Sequence, residues 1–332
     1  MGVSAIQGSF GVGLQQTPGT AAATINYIPA ATVNLNMDQM AQSLPQEIGG
    51  AMWSRQSYKT GVQVGGDVTF NVRANSIGWL LRAFSGSATA AAPANGVTRH
   101  TFIENADLDF IPWVTINKNV TDLWAEQYVD CRVDTFRLDV PAAGIVTGTF
   151  GFVGRTTNEI EVPTETFDDT PLFETCTGRV VVGGVSTYKT TRVAIDFSNN
   201  LSRDERIIGN YFLDDITVVR RSARITVDTY LKDPTWYRQV YRNGGSTLGA
   251  AFDPAVYSAE LDLEIQTAQH VVGTEHGKIR LVIPNMDFLT FPVSLSGNDF
   301  VRVTMTAELT ISGTNPPFYL DLTNTQANYN LS

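Results

Sequence analysis

Cysteine and histidine are nearly missing from this chain of 332 residues, which has two of the first and three of the second. Cys131 and Cys176 are too few to frame a disulfide scaffold at this length, so the sequence reads as two unbridged thiols in a reducing cytoplasm. His100, His270 and His276 fall in no His-Glu-x-x-His spacing, and no cysteine pair stands ready to complete a zinc site. Long apolar runs are lacking as well. Nothing approaches the roughly 18 uninterrupted residues of a membrane helix, and Met1 to Ile6 has neither the basic nor the apolar region of a secretory signal. Charge is sparse at 17%, against roughly 25% in ordinary soluble domains. It also leans acidic, with a net charge of −10. A tight grip on nucleic acid runs on Lys and Arg counterion release, so this balance argues against one.

Catalytic signatures are equally scarce. There is no Gly-x-Ser-x-Gly elbow and no calcium loop. Gly11-Val12-Gly13 lacks the third glycine and the following helix of a phosphate cradle. His276 follows Glu275 at a Gly-flanked turn and reads as solvated loop. Asp168 and Asp169 sit in an acid-rich stretch that reads as solvation, not as an acid and base pair. The sequence therefore points to a non-enzymatic protein without a cofactor or a metal.

What is present is β pattern. Residues 62–72 alternate apolar and polar, the period-2 sign of a half-buried strand. Further strands are expected at 113–117, 128–140, 145–153, 179–182, 191–197, 216–229, 259–266, 278–286 and 300–311. Val, Ile, Thr and Phe fill them, as pleated surfaces favour. Two segments break this pattern. Residues 76–84 put Trp79, Leu80, Ala83 and Phe84 on one helical face. Residues 233–241 do the same with Trp236, Tyr237, Val240 and Tyr241, with Asp233 as N-cap and Pro234 in the first turn. Gly86 and Gly244 stand near the two helix ends.

The two helices belong to a larger repeat. Sliding one half onto the other by 157 positions sets Trp79 on Trp236, Val68 on Ile225, Phe70 on Val227 and Phe84 on Tyr241. Upstream, residues 31–36 resemble 191–196, and downstream the strand pair 128–140 and 145–153 matches 278–293 and 300–309. The expected fold is mainly β: two tandem β-sandwich or barrel domains, each with one short flanking α-helix. The boundaries are 1–160 for the first domain (helix near 76–86), 161–178 for an acid- and Pro-bearing linker, 179–311 for the second (helix near 233–243), and 312–332 for a C-terminal arm.

Two loops are unusually apolar. Asn36 to Trp53 carries Met37, Met40, Leu44, Ile48, Met52 and Trp53 outside any expected strand, and Met and Trp are enriched in interface cores. Leu201 to Leu213 is shorter and more charged, and ends in Ile207, Ile208, Tyr211 and Phe212. Two such loops on one rigid body suggest an assembling subunit.

Along the chain these residues resemble one known family, the phage tail tube proteins of the long, two-half type. The likeness is carried by Gly11 to Gln15 with Thr17 to Ala21, by Ile77 to Gly86 with Arg99 to Phe102, and by Tyr128 to Asp134 with Leu138 to Pro141. It continues through Gly144 to Gly154 and Gly183 to Val185, then Val193 to Leu201, and covers about Gly11 to Leu309; 311–332 has no counterpart. The resemblance implies a structural subunit whose rings stack into a hollow conduit for the genome. Single-copy members form hexameric rings, so a duplicated chain implies a homotrimer with pseudo-sixfold symmetry. Inter-ring stacking would fall to Met40, Leu44, Ile48, Met52, Trp53, Ile207, Tyr211 and Phe212. Asp67, Asp130 and Asp134 would face the lumen, where acid repels double-stranded DNA as it slides. Implied partners are the chain itself, tail-tip, terminator and tape-measure proteins and the passing DNA, with no membrane. The implied place is the virion tail, after assembly in the infected bacterium's cytoplasm. The alternative is a tail-tip or decoration module that binds host-surface carbohydrate.

Overall fold

Alternation of the expected kind builds nearly every element. In the computed structural model, which describes residues 8–45, 48, 50, 52–54, 56–104, 111–121, 123–186, 189–231, 234–242, 251–293 and 301–330, the first half comprises β1 (Ser9–Leu14), β2 (Asn26–Ile28), β3 (Thr32–Ser43), β4 (Ser57–Asn71), α1 (Ile77–Ser85), β5 (Thr89–Ala90), β6 (Thr98–Ile103), β7 (Val114–Val120), β8 (Trp124–Pro141) and β9 (Thr147–Ile160). After a 3-10 turn at Thr175–Thr177 come β10 (Arg179–Val182), β11 (Val185–Ser186), β12 (Thr190–Ser198) and β13 (Ser222–Tyr230). α2 (Thr235–Arg242), β14 (Ser258–Val272), β15 (Glu275–Thr290), β16 (Arg302–Leu309) and β17 (Tyr319–Asn324) complete the second half. The fold is mainly β, a large open sheet with two helices among the described residues.

The pairings repeat. In the first half β3 pairs β4, β4 pairs β9, β9 pairs β8 and β8 pairs β7. In the second, β12 pairs β13, β13 pairs β16, β16 pairs β15 and β15 pairs β14. Val68 lies opposite Phe150, and Ile225 lies opposite Ala307, so the offset of 157 holds on these strands. One step earlier it changes: Val33 faces Val68 and Ile195 faces Ile225. That sets residues 31–36 on 193–198, two positions from the alignment read in the sequence, and a two-residue slip preserves the buried face. The halves join strand to strand. The C-terminal part of β8 pairs β12 from Thr135↔Ser198 to Pro141↔Arg192.

A hydrophobic cluster runs through both halves, with stacked Phe70, Phe150 and Phe136 at its centre. α1 lies against it with Ile77, Leu80, Leu81, Ala83 and Phe84 buried, and ends at Gly86, whose φ of 80° suits a residue without Cβ. α2 buries only Val240. Its expected cap Asp233 and the following Gly244 lie outside the described residues.

Two segments differ from expectation. Residues 161–178, expected as a linker, run largely exposed along the fold but are anchored to it. Phe173 is fully buried and bridges to Thr267, while Asp168 accepts the Ser76 N–H at 3.0 Å beside the start of α1. Residues 312–330 of the expected C-terminal arm are not free of the fold. β17 pairs β15 of the second half on one edge and β6 of the first on the other. Beyond it, Tyr329 is 1% exposed, with Trp79, His100 and Phe102 around its ring. The signal was there, since Phe318, Leu320 and Leu322 alternate with polar neighbours over one short strand.

Candidate assembly surfaces

Residues 36–43, read as loop, continue β3, so the segment is a long hairpin. β3 and β4 pair from Thr32↔Thr69 to Ser43↔Ser57 with one register shift between Met40 and Ala41, and Leu44 N–H donates to Gln56 O at 2.8 Å. β4 leaves β9 at Val64, so the outer part of the hairpin projects beyond that pairing. At and near its tip Ile48, Met52 and Trp53 are 109%, 88% and 86% exposed, with Met40 and Leu44 partly so lower down. These are large apolar side chains that the chain itself does not cover.

The second apolar loop is brought to the base of this hairpin. Val62 N–H donates to Tyr211 O at 2.8 Å, while Arg206 donates to Tyr211 O at 2.8 Å and to Val62 O at 2.9 Å. Gly61 makes the approach possible, because a Cβ there would stand 2.8 Å from the guanidinium of Arg206. Ile207, Ile208 and Tyr211 are exposed beside it. Phe212 turns inward and packs on the main core, which corrects its expected place in the exposed set.

Asp130 and Asp134 are likewise corrected. Both are buried. Asp130, at φ 56°, accepts from Gly19 N–H at 2.6 Å and Gln15 Nε2 at 3.2 Å, and pairs with Arg155 at 3.3 Å. Asp134 accepts from Leu201 N–H at 2.9 Å and pairs with Arg203 at 2.7 Å. These carboxylates clamp neighbouring loops and are not free to line a channel. The physical reason is two register shifts that break the alternation on β8: one against β7, where Val114 faces Cys131 but Ile116 faces Tyr128, brackets Asp130, and one against β9 between Val133 and Thr135 brackets Asp134. Arg132 belongs to the same region, stacked 4.0 Å over Trp113 and donating to Ile216 O. Asp67 is the member of the three that stays on a half-exposed strand face, accepting from Asn34 at 3.3 Å.

Past the bulge, alternation is regular and sets up one polar face across the joined halves. Phe136, Leu138, Val193, Ile195 and Phe197 point into the core. Arg137, Asp139, Arg192 and Asp196 point away from it, and stitch the join. Arg137 pairs with Asp196 at 3.0 Å, and Arg192 grips Asp139 with two bonds of 2.7 and 3.1 Å. The carboxylate of Asp139 holds the Arg192 guanidinium above its ordinary pKa. Farther out on both sides the face carries threonines that bond across strands, Thr69 with Thr149 and Thr290 with Thr306. Sequence reasoning missed these four charged residues, although Arg137 and Asp139 stand at alternate positions of an expected strand.

The titratable groups inside the fold serve packing. His100 is fully buried, with its Nε2 2.9 Å from Gln326 O, and burial lowers its pKa. Burial pushes the Cys131 thiol and the Tyr128 and Tyr329 phenols up. Among the described residues no group of three or more His, Cys, Asp and Glu could hold a metal ion, and no helix is long and apolar enough to cross a membrane.

Comparison with known families gives one match: the family described as phage tail tube protein matches residues 5–318. A comparison with curated proteins returned no match.

Proposed function

The chain belongs to the phage tail tube protein family, and from that premise we propose that three copies close into a pseudo-sixfold ring, and that rings stack into a conduit for the phage genome. As a family member it is a structural subunit of the virion tail. The two halves descend from one duplicated unit, and the polar sheet face lines the lumen.

One observation carries the ring: the chain contains a finished example of the contact it needs. β12, which opens the repeated pairing order of the second half, completes the edge of β8 in the first. The counterpart of β12 is β3, and the counterpart of β8 is β15, since Phe136 opposite Phe150 occupies the place of Phe288 opposite Ala307. Repeating the join between copies lays residues 31–34 of one copy on 290–293 of the next, since Arg137 opposite Thr149 corresponds to Thr290 opposite Thr306 past the bulge after Phe288. Asn34 then falls beside Thr290. β14 pairs β15 only as far as Asp287, and Leu289 and Val293 are 46% and 39% exposed. An open strand edge of this kind calls for pairing or protection. Because one chain supplies two units, closure after three copies gives six, with every edge paired.

Each lumen acid named by this reading lies on the regular part of the sheet: Asp67, Asp139 and Asp196. Two neighbouring arginines are already engaged by carboxylates, so the face offers little to hold a phosphate backbone.

A cysteine pair tests the ring contact. In a Cys176→Ser background, Asn34→Cys with Thr290→Cys should give a closed covalent trimer on mild oxidation. Absence of any cross-link in assembled material would reject this seam.

A further inference from the structure

We propose that His270 and His276, near the end of the β14–β15 hairpin, form a two-histidine site for a divalent transition-metal ion, Cu²⁺ or Ni²⁺ by its geometry. The site is independent of the ring and of its stacking.

An irregular stretch of the hairpin brings the pair together. Gln266 stands opposite Lys278 and His270 opposite His276, so β14 runs four residues where β15 runs two. A bulge of this kind re-aims side chains. Thr267 organises it from inside. It is fully buried, its hydroxyl accepts the Gly277 N–H at 2.9 Å and donates to Gln269 O at 2.7 Å, and its backbone bridges to Phe173. Its carbonyl oxygen lies 2.7 Å from His276 Nδ1. A carbonyl only accepts, so Nδ1 carries the hydrogen and Nε2 of the neutral ring keeps its lone pair. A backbone carbonyl holding the far nitrogen in this way is a usual companion of metal-bound histidine, because it fixes both tautomer and ring orientation. His276, expected in a solvated loop, is thus a half-buried strand residue, while His270 across from it is exposed. An ion reaches the pair from solvent.

Ring spacing selects the ion. With metal–nitrogen bonds of about 2.0–2.1 Å, a coordinated ring has its centroid roughly 3.2 Å from the ion. Two rings bound at a right angle then have centroids about 4.5 Å apart, and two at the tetrahedral angle about 5.2 Å. The centroids of His270 and His276 are 4.3 Å apart with the rings tilted by 49°, which matches the right angle of square or octahedral coordination. Imidazole nitrogen suits Cu²⁺ and Ni²⁺, with Cu²⁺ the tighter of the two, whereas Mg²⁺ and Ca²⁺ keep to oxygen. Among the described residues no group of three His, Cys, Asp or Glu could hold a metal, so the pair supplies two nitrogens and water the remaining positions. Once bound, the ion ties β14 to β15 at the place where the bulge interrupts their ladder.

Titration of the untagged full-length protein with CuCl₂, NiCl₂ and MgCl₂ tests the site. The third histidine of the chain, His100, is fully buried with its Nε2 against Gln326 O, so it does not compete. Calorimetry should show one site per chain that needs both histidines, tighter for Cu²⁺ than for Ni²⁺ and silent to Mg²⁺. The electron paramagnetic resonance spectrum of the Cu²⁺ form should carry splitting from two imidazole nitrogens. His270→Ala removes an exposed side chain and leaves the fold intact. It should weaken Cu²⁺ binding on the order of 100-fold, the loss expected when a tethered second ligand is removed, and reduce the splitting to that of one nitrogen. His276→Ala should do the same. Ni²⁺ should slow amide hydrogen exchange within 267–277 of the parent and leave the His270→Ala protein unchanged. A His270→Ala protein that binds Cu²⁺ as tightly as the parent, or a parent spectrum with a single imidazole, would overturn the proposal.

Discussion

Replacing Tyr329 by alanine tests whether the C-terminal residues are part of the folded body. The ring is 1% exposed, with its centroid 4.7 Å from that of His100, 5.1 Å from Trp79 and 5.8 Å from Phe102. Its hydroxyl donates to Asn75 O at 2.6 Å and accepts from Asn324 Nδ2 at 2.6 Å. Gly78 on α1 is shaped to it, because a Cβ there would stand 2.0 Å from the Tyr329 ring. Removing a buried aromatic of this size costs roughly 3–5 kcal/mol, and the lost hydrogen bonds add about 1 kcal/mol. At about 2 °C per kcal/mol for a long chain, the midpoint of thermal unfolding should fall by on the order of 10 °C. Tyr329→Phe keeps the ring and should cost about 1 kcal/mol, near 2 °C. Trp79 touches the ring, so tryptophan fluorescence reports the change at the site. A Tyr329→Ala protein melting within 1 °C of the parent would refute the packing argument and restore a free terminal arm.

Three further outcomes follow from particular residues. Burial lowers the pKa of His100 below its ordinary 6.5, so the folded state binds fewer protons there than the unfolded chain; this contribution to stability is complete above about pH 6.5 and is lost as pH falls toward the folded value. The melting midpoint should therefore drop between pH 7.5 and 5.5, and His100→Gln should flatten that part of the slope. Asp134→Ala leaves the Leu201 N–H without its acceptor and Arg203 without its partner, which should cost about 2–3 kcal/mol and speed protease cleavage within 199–213. Charged substitutions at the hairpin tip, Ile48→Asp or Trp53→Asp, touch side chains already in solvent, so the melting midpoint should stay put while stacking of rings, seen by sedimentation, is lost.

The strands and helices were legible because burial on one face imposes its period on the residues. Val68 and Phe70, and Ile225 and Val227 half a chain later, lie at matching places in two strand sets of the same pairing order. The apolar hairpin stood out because Ile48, Met52 and Trp53 have no place in a strand core. Parity was harder to read. Counting by twos carries no information across a bulge, and β8 has shifts at both acids, against β7 at Asp130 and against β9 at Asp134, each of which is buried. Short strands were missed where alternation spans few residues. β1 hides in a glycine-rich run because Gly11 must admit Ile25, where a Cβ would stand 2.5 Å away, and β17 was passed over as a tail. The seam charges Arg137, Asp139, Arg192 and Asp196 become meaningful only when β8 and β12 are placed side by side, with Asp139 opposite Ala194, 55 residues on.

The central claim is a ring of three duplicated chains that repeats the β8–β12 join between copies. Electron microscopy of the purified protein across a concentration series, with symmetry averaging of end-on views, measures this directly. The account predicts hollow rings or tubes with true threefold symmetry and a strong sixfold harmonic. End-on views with another rotational order, or particles without a central channel, would contradict it.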